Sequence, residues 1–141
     1  MNIGATQLKS VQAQAHPFCL VCSGSNPNGL ALTFEPDENG SVASSFHPNP
    51  LLEGYEGLLH GGMTASLLDG AMTNCLFSQG IIALTADLRV RYRKPVLIGP
   101  EISLRAWVEA RHSPLFLMRA ELKQEGCVKA TASAKFMKRH V

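Results

Sequence analysis

One change of hydrophobic period constrains this chain more than any other feature. From Gly61 to Phe77, Met63, Leu67, Leu68, Ala71, Met72, Cys75 and Leu76 recur at spacings of four, three and one, the stripe of an α-helix. Seventeen residues make a rod of about 25 Å, and Gly80 is a stop signal just beyond it. On both sides of this stretch the period is two. Leu30, Leu32 and Phe34 alternate with Ala31, Thr33 and Glu35, and Val42, Ser44 and Phe46 follow the turn-like Asp37-Glu38-Asn39-Gly40, which predicts a strand pair. After the helix, Leu84, Ala86, Leu88, Val90 and Tyr92 alternate with polar residues until Pro95 ends the run. Three further apolar faces follow: Ile102 to Ala110, Phe116 to Leu122, and Val128 to Phe136, the last two separated by Glu125-Gly126.

The predicted order is two strands, one long helix and four strands, an α+β chain whose short later connections favour antiparallel pairing. The helix must lie across one face of the sheet to bury both apolar surfaces. Ala130, Ala132 and Ala134 in the last strand leave room for its close approach. This layout resembles the hotdog fold, one long central helix packed on a curved antiparallel sheet of about six strands. Nothing divides the chain, so residues 1–141 are expected to form a single domain, with 1–28 as an N-terminal extension carrying a Cys19-x-x-Cys22 turn. One helix cannot cover six strands, and the remaining sheet surface and edges invite self-association.

Charge is lopsided although the net value is only +2. Residues 1–80 hold one base, Lys9, against six acids; residues 81–141 hold twelve bases against five acids. Solvated strand faces account for much of this, but a basic half also suits the phosphate tail of a nucleotide-bearing small ligand. No nucleic-acid motif accompanies it. No apolar run approaches the roughly 18 residues of a membrane span, and the first residues have neither a basic start nor an apolar core of a leader, so a cytoplasmic protein is expected. Of four cysteines only Cys19 and Cys22 form a close pair. With His16 nearby but no second pair, a reduced turn without metal is expected. His16, His47, His112 and His140 have no setting that suggests chemistry and are expected to be structural or surface residues.

Chemistry concentrates in Glu53-Gly54-Tyr55-Glu56-Gly57-Leu58-Leu59-His60-Gly61-Gly62-Met63, which runs into the helix and on to Asp69. Glycines let a ligand reach the backbone, and a helix N-terminus offers unpaired N–H groups and a positive dipole end, a setting for a polarised carbonyl oxygen. By itself this is equally a loop capped into a helix. Asp69 adds weight, because aspartate is a mediocre helix-interior residue and small neighbours (Gly62, Ala65, Ser66, Thr73) leave space beside it. It lies roughly 10 Å along the axis from the glycines.

His60-Gly61-Gly62 with an acid nine residues after the histidine resembles the active-site signature of the PaaI-type hotdog acyl-CoA thioesterases. The Cys19-x-x-Cys22…Asn26-Pro27-x-Gly29-Leu30 stretch and Thr85-x-Asp87-Leu88-x-Val90-x-Tyr92-x-x-Pro95-Val96 extend the likeness over most of the chain. The resemblance implies hydrolysis of an acyl-CoA to acid and CoA. Asp69 is then the general base or nucleophile, Gly61 supplies the backbone N–H that binds the thioester oxygen, and His60 fixes the loop. Thr85 reaches the active site of a partner subunit, since its odd-numbered face is expected to turn away from its own core. Gly62, Met63, Leu84 and Ala86 are expected to contact substrate. CoA enters only as part of the substrate, with no separate cofactor or metal, and the assembly is expected to be a homodimer or homotetramer. Some relatives hold an Asn or Gln six residues before the histidine, where this chain has Gly54; Glu53 or Glu56 is then left to orient water. Two rival readings stay open: a non-catalytic acyl-CoA binding module, and a hotdog dehydratase or hydratase using His60.

Overall fold

The computed structural model describes residues 3–139; Met1, Asn2, His140 and Val141 lie outside them. The helical stripe becomes α2, Gly61–Phe77, and a first helix, α1 (Ile3–Ala15), precedes it. Six strands follow the predicted segments: β1 (Glu35–Pro36), β2 (Val42–Phe46), β3 (Ala83–Tyr92), β4 (Ile102–His112), β5 (Leu115–Gln124) and β6 (Cys127–Lys138). They form one antiparallel sheet in the order β1-β2-β4-β5-β6-β3, with β1 and β3 at the edges.

Period-two patterning decides which side of the sheet is covered. Ile102, Leu104 and Ala106 from β4, Phe116, Met118, Ala120 and Leu122 from β5, and Ala130, Ala132, Ala134 and Phe136 from β6 are all buried. They meet Leu67, Leu68, Ala71, Met72, Cys75 and Leu76 of α2, each at most 1% exposed. At about 1.5–3 kcal/mol per large apolar side chain removed from water, this helix–sheet contact is the main stabilising layer. The arrangement is the hotdog fold expected from the sequence.

Three local features depart from that expectation. α1 is an added helix: Leu8 is buried and Val11 and Ala15 pack on the core at spacings of three and four, a sparse stripe among polar residues. The first strand shrinks to Glu35–Pro36. Ala31 sits at φ 51, which interrupts any extended run, and the Leu30 and Leu32 N–H groups donate to Leu20 and Val21 carbonyls at 2.8 and 2.9 Å. Leu32 and Phe34 are still buried, as their alternation requires.

The third departure is a bulge in β3. Thr85 pairs with Phe136, but Asp87 pairs with Lys135, so Ala86 is an extra residue. Directly paired residues share a face. Thr85 therefore lies on the buried Phe136 side, and after the bulge Leu88, Val90 and Tyr92 take that side opposite Ala134, Ala132 and Ala130. Leu84 pairs with the exposed Met137 and is itself 57% exposed.

Candidate active site at the start of α2 and at Asp69

His60 caps α2 with an extended backbone, φ −57 and ψ 133. Its Nδ1 accepts the Gly62 N–H at 2.9 Å, and its carbonyl accepts the Met63 and Thr64 N–H groups at 2.9 and 3.1 Å. An accepting Nδ1 places the proton of the neutral ring on Nε2. The cap also explains Gly62, because a Cβ there would stand 3.0 Å from His60 Nδ1. The Gly61 N–H has no hydrogen-bond partner among the described residues, and it lies at the positive end of the helix. His60 thus caps the helix, and the Gly61 N–H is left without a partner among the described residues.

Gly54 packs against this cap. A Cβ at that position would lie 3.3 Å from His60 Cα, so the loop closes tightly over a small residue. The Glu53 carboxylate accepts the Gly57 N–H at 3.0 Å, while Glu56 is exposed.

Two turns along the helix, Asp69 is half-buried. The Thr85 hydroxyl donates to Asp69 Oδ1 at 2.6 Å within the same chain. This corrects the expectation that Thr85 turns away from its own core towards a partner's site: the Ala86 bulge reverses the face. Ala86 sits at the bulge, Leu84 points to the opposite side from Asp69, and Met63 is half-buried against the core. Leu84 is therefore not beside Asp69 in its own chain.

Tyr92 is marked in the sequence as the last apolar position of a strand and as part of the family-like stretch, without a role at the site. Its hydroxyl donates to the Gly61 carbonyl at 2.7 Å, and its ring lies over Gly61. Beside it is a largely apolar cavity of about 290 Å³ lined by Leu58, Thr64 and Val96 together with Arg93 and Lys94. Arg93 also lines a second depression with Arg89, Arg91 and Arg119.

The structure gathers three residues that the sequence keeps apart from this chemistry. His16, Cys19 and Cys22 bring their ligand atoms within 4.8 Å of one another. They lie against α2 where Val21 packs over Gly70, and the Asp69 charge acts on His16.

The Thioesterase superfamily model matches residues 56–131, just over half the chain. The chain is 29% identical over 106 residues to mouse acyl-coenzyme A thioesterase THEM5, which covers 74% of this chain and 42% of that protein. It spans about a fifth to three fifths of the length of curated relatives that it matches. Among solved structures, the PaaI protein of the E. coli phenylacetic acid degradation operon superposes with a TM-score of 0.80 at 17% identity, covering 97% of this chain and 94% of that one. A hypothetical thioesterase from Streptococcus pneumoniae TIGR4, solved with coenzyme A, superposes with a TM-score of 0.71 at 17% identity, covering 76% and 87%. With its fold, its helix-start glycines and more than half its residues matched in this way, the chain belongs to the thioesterase superfamily.

Proposed function

We propose that this chain hydrolyses acyl-CoA thioesters to a free acid and CoA. The observation that carries the reading is the pairing of a half-buried, hydrogen-bonded carboxylate, Asp69, with a free N–H at the start of the same helix. Asp69 either takes a proton from water as water adds to the thioester carbon, or adds to that carbon itself. The Gly61 N–H stabilises the oxygen as it gains negative charge. Collapse expels the CoA sulfur as a thiolate, a leaving group that needs little assistance. Where Asp69 itself has added, a water then cleaves the resulting acyl anhydride to release the acid and restore the carboxylate.

Geometry then decides how the two groups cooperate. Gly61 and Asp69 are eight residues apart on one helix, about 12 Å along its axis. A carbonyl C=O with a donor about 3 Å from its oxygen and a carboxylate about 3 Å from its carbon spans ~7 Å, or about 10 Å with a water between carboxylate and carbon. Both spans are shorter than that separation, which supports drawing the two groups at one thioester from different subunits. We therefore assign Asp69 and Thr85 to one subunit and the polarising Gly61 to a second, in a homo-oligomer. The ten-residue β3, paired on one side only, offers an open edge consistent with such association.

The apolar cavity beside Gly61 suits the acyl and pantetheine portions. Arg93, shared with the depression that Arg89, Arg91 and Arg119 line, leads from it to positive charge for the phosphates. The S. pneumoniae relative solved with coenzyme A supports this choice of ligand. No helix among the described residues is long and apolar enough to cross a membrane, and the four free cysteines suit a reducing compartment such as the cytoplasm.

Release of free thiol from a panel of aromatic and aliphatic acyl-CoAs tests the reading. Turnover is expected with at least one, and Asp69→Asn should lower kcat by about 10² or more while the protein stays folded. Near-normal turnover by a folded Asp69→Asn protein would sink the mechanism. Binding of acyl-CoA without thiol release would favour the non-catalytic module.

A further inference from the structure

We propose that His16, Cys19 and Cys22 form a binding site for a thiophilic divalent cation, Zn²⁺, with a fourth position open to an oxygen ligand. The chain has no second cysteine pair, which is why its sequence gives no metal signature; the fold supplies the third ligand from the end of α1 instead. Cys22 Sγ is 3.5 Å from His16 Nδ1. Tetrahedral Zn–S and Zn–N bonds of about 2.3 and 2.0–2.1 Å place two such ligand atoms roughly 3.6 Å apart, and two sulfurs roughly 3.8 Å apart. All three ligand atoms already lie within 4.8 Å. Side-chain movements of under about 1 Å would therefore close the set around one ion.

The surroundings are those of a ligand set rather than of packed thiols. The Val21 N–H donates to Cys19 Sγ at 3.3 Å, and the Gln12 amide donates towards Cys22 Sγ at 3.8 Å, so donors already face both sulfurs. The Asn74 amide N–H donates to the Gly70 carbonyl at 2.8 Å within α2. Asn74 is 1% exposed, and its Oδ1 has no hydrogen-bond partner. Binding replaces two thiol protons with two metal–sulfur bonds and releases the protons to solvent. The bound ion would clamp the turn after α1 onto α2 at Gly70 and Asn74, one turn from Asp69.

Titration of the chelator-treated, fully reduced chain with Co²⁺ and then Zn²⁺ tests this without reference to activity. About one Co²⁺ per chain should bind, with thiolate charge-transfer absorption and the intense visible bands of tetrahedral cobalt, and stoichiometric Zn²⁺ should bleach both. Zn²⁺ should also raise the melting temperature. His16→Gln and Cys19→Ser alter half-exposed residues and should remain folded while losing at least about 100-fold in affinity. Cys127→Ser, outside the trio, should bind as the wild type does. A folded, reduced wild-type chain that shows no thiolate band would overturn the site, as would full binding by both trio variants. Loss of two thiols to a Cys19–Cys22 disulfide, with no metal taken up by the reduced chain, would make the pair a redox couple and equally overturn it. None of these readouts depends on thioester hydrolysis, so either proposal can fail alone.

Discussion

Thr85 Oγ1 stands 2.6 Å from Asp69 Oδ1 in the same chain, joining the edge strand to the middle of the helix. A hydroxyl donating to a carboxylate fixes which oxygen is tied down and leaves Oδ2 to face water or the thioester. Removing it with Thr85→Ala should cost roughly 10-fold in kcat, the order of one hydrogen bond to a charged group, with KM changed little. Thr85→Ser keeps the donor and should restore most of the rate. Full activity in Thr85→Ala would confine the threonine to a structural part.

That contact shows where sequence reading reaches its limit. Alternation places β4, β5 and β6 because their central buried faces, Ile102 to Ala106, Phe116 to Leu122 and Ala130 to Phe136, repeat every second residue, and the register shifts at Val108/Ala110 and Leu122/Lys123 fall beyond them. The α2 stripe is legible for the same reason at period 3.6. Ala86 adds one residue to β3, and one residue is enough to exchange the faces, so the pattern that correctly marks a strand assigns Thr85 to the wrong side. Ala31 defeats the Leu30–Phe34 strand through a backbone angle that its side chain does not announce. The His60, Gly61 and Asp69 spacing is readable in the sequence, whereas Tyr92 over Gly61 and His16 beside Cys22 are products of the fold.

The seat of the N-terminal turn on α2 predicts a second result. A Cβ at Gly70 would lie 2.7 Å from Val21 Cγ1, so the helix needs glycine there for close approach and not for its own propensity. Gly70→Ala should destabilise the fold by about 1–3 kcal/mol through overpacking, despite alanine's better helix propensity. Adding Val21→Ala should recover part of the loss. Urea denaturation of the two single variants and the double variant measures the coupling, and strict additivity would rule out the contact as its source.

Acid should loosen the turn before β2 in a defined direction. The Asp37 carboxyl is held below its ordinary value, chiefly by the Ser41 hydroxyl, with further help from the Asn39 and Ser41 N–H groups at 2.8 and 3.0 Å. A carboxyl depressed on folding contributes stability above its unfolded value and loses it as pH falls through the folded one. Asp37→Ala should therefore be less stable than wild type near neutrality, by under about 1 kcal/mol because the group is exposed to solvent screening. The two proteins should converge as pH falls through and below the folded carboxyl's lowered value. A gap that persists unchanged at low pH would assign the loss to the turn's shape and not to its charge.

The separation of Gly61 from Asp69 gives the sharpest test of a site shared between subunits. A backbone N–H is removed by proline, and Gly61 is a position that tolerates one. It is the first residue of α2, where the N–H takes no part in the helix ladder, and His60 before it already has the extended φ −57, ψ 133 that a following proline requires. Gly61→Pro should thus fold and lose the polarising donor, and Asp69→Asn should fold and lose the carboxylate. In a closed dimer with Asp69 from one chain and Gly61 from the other, a mixed pair of these variants has one doubly defective site and one intact site. Random exchange makes about half the dimers mixed, so roughly a quarter of wild-type activity should return. Mixing Asp69→Asn with Thr85→Ala should instead give only the average of the two parents, because both changes fall in the half-site of a single chain. Recovery in the second mixture but not in the first, with subunit exchange demonstrated, would reverse the assignment of residues to subunits. Recovery in neither would exclude a shared site.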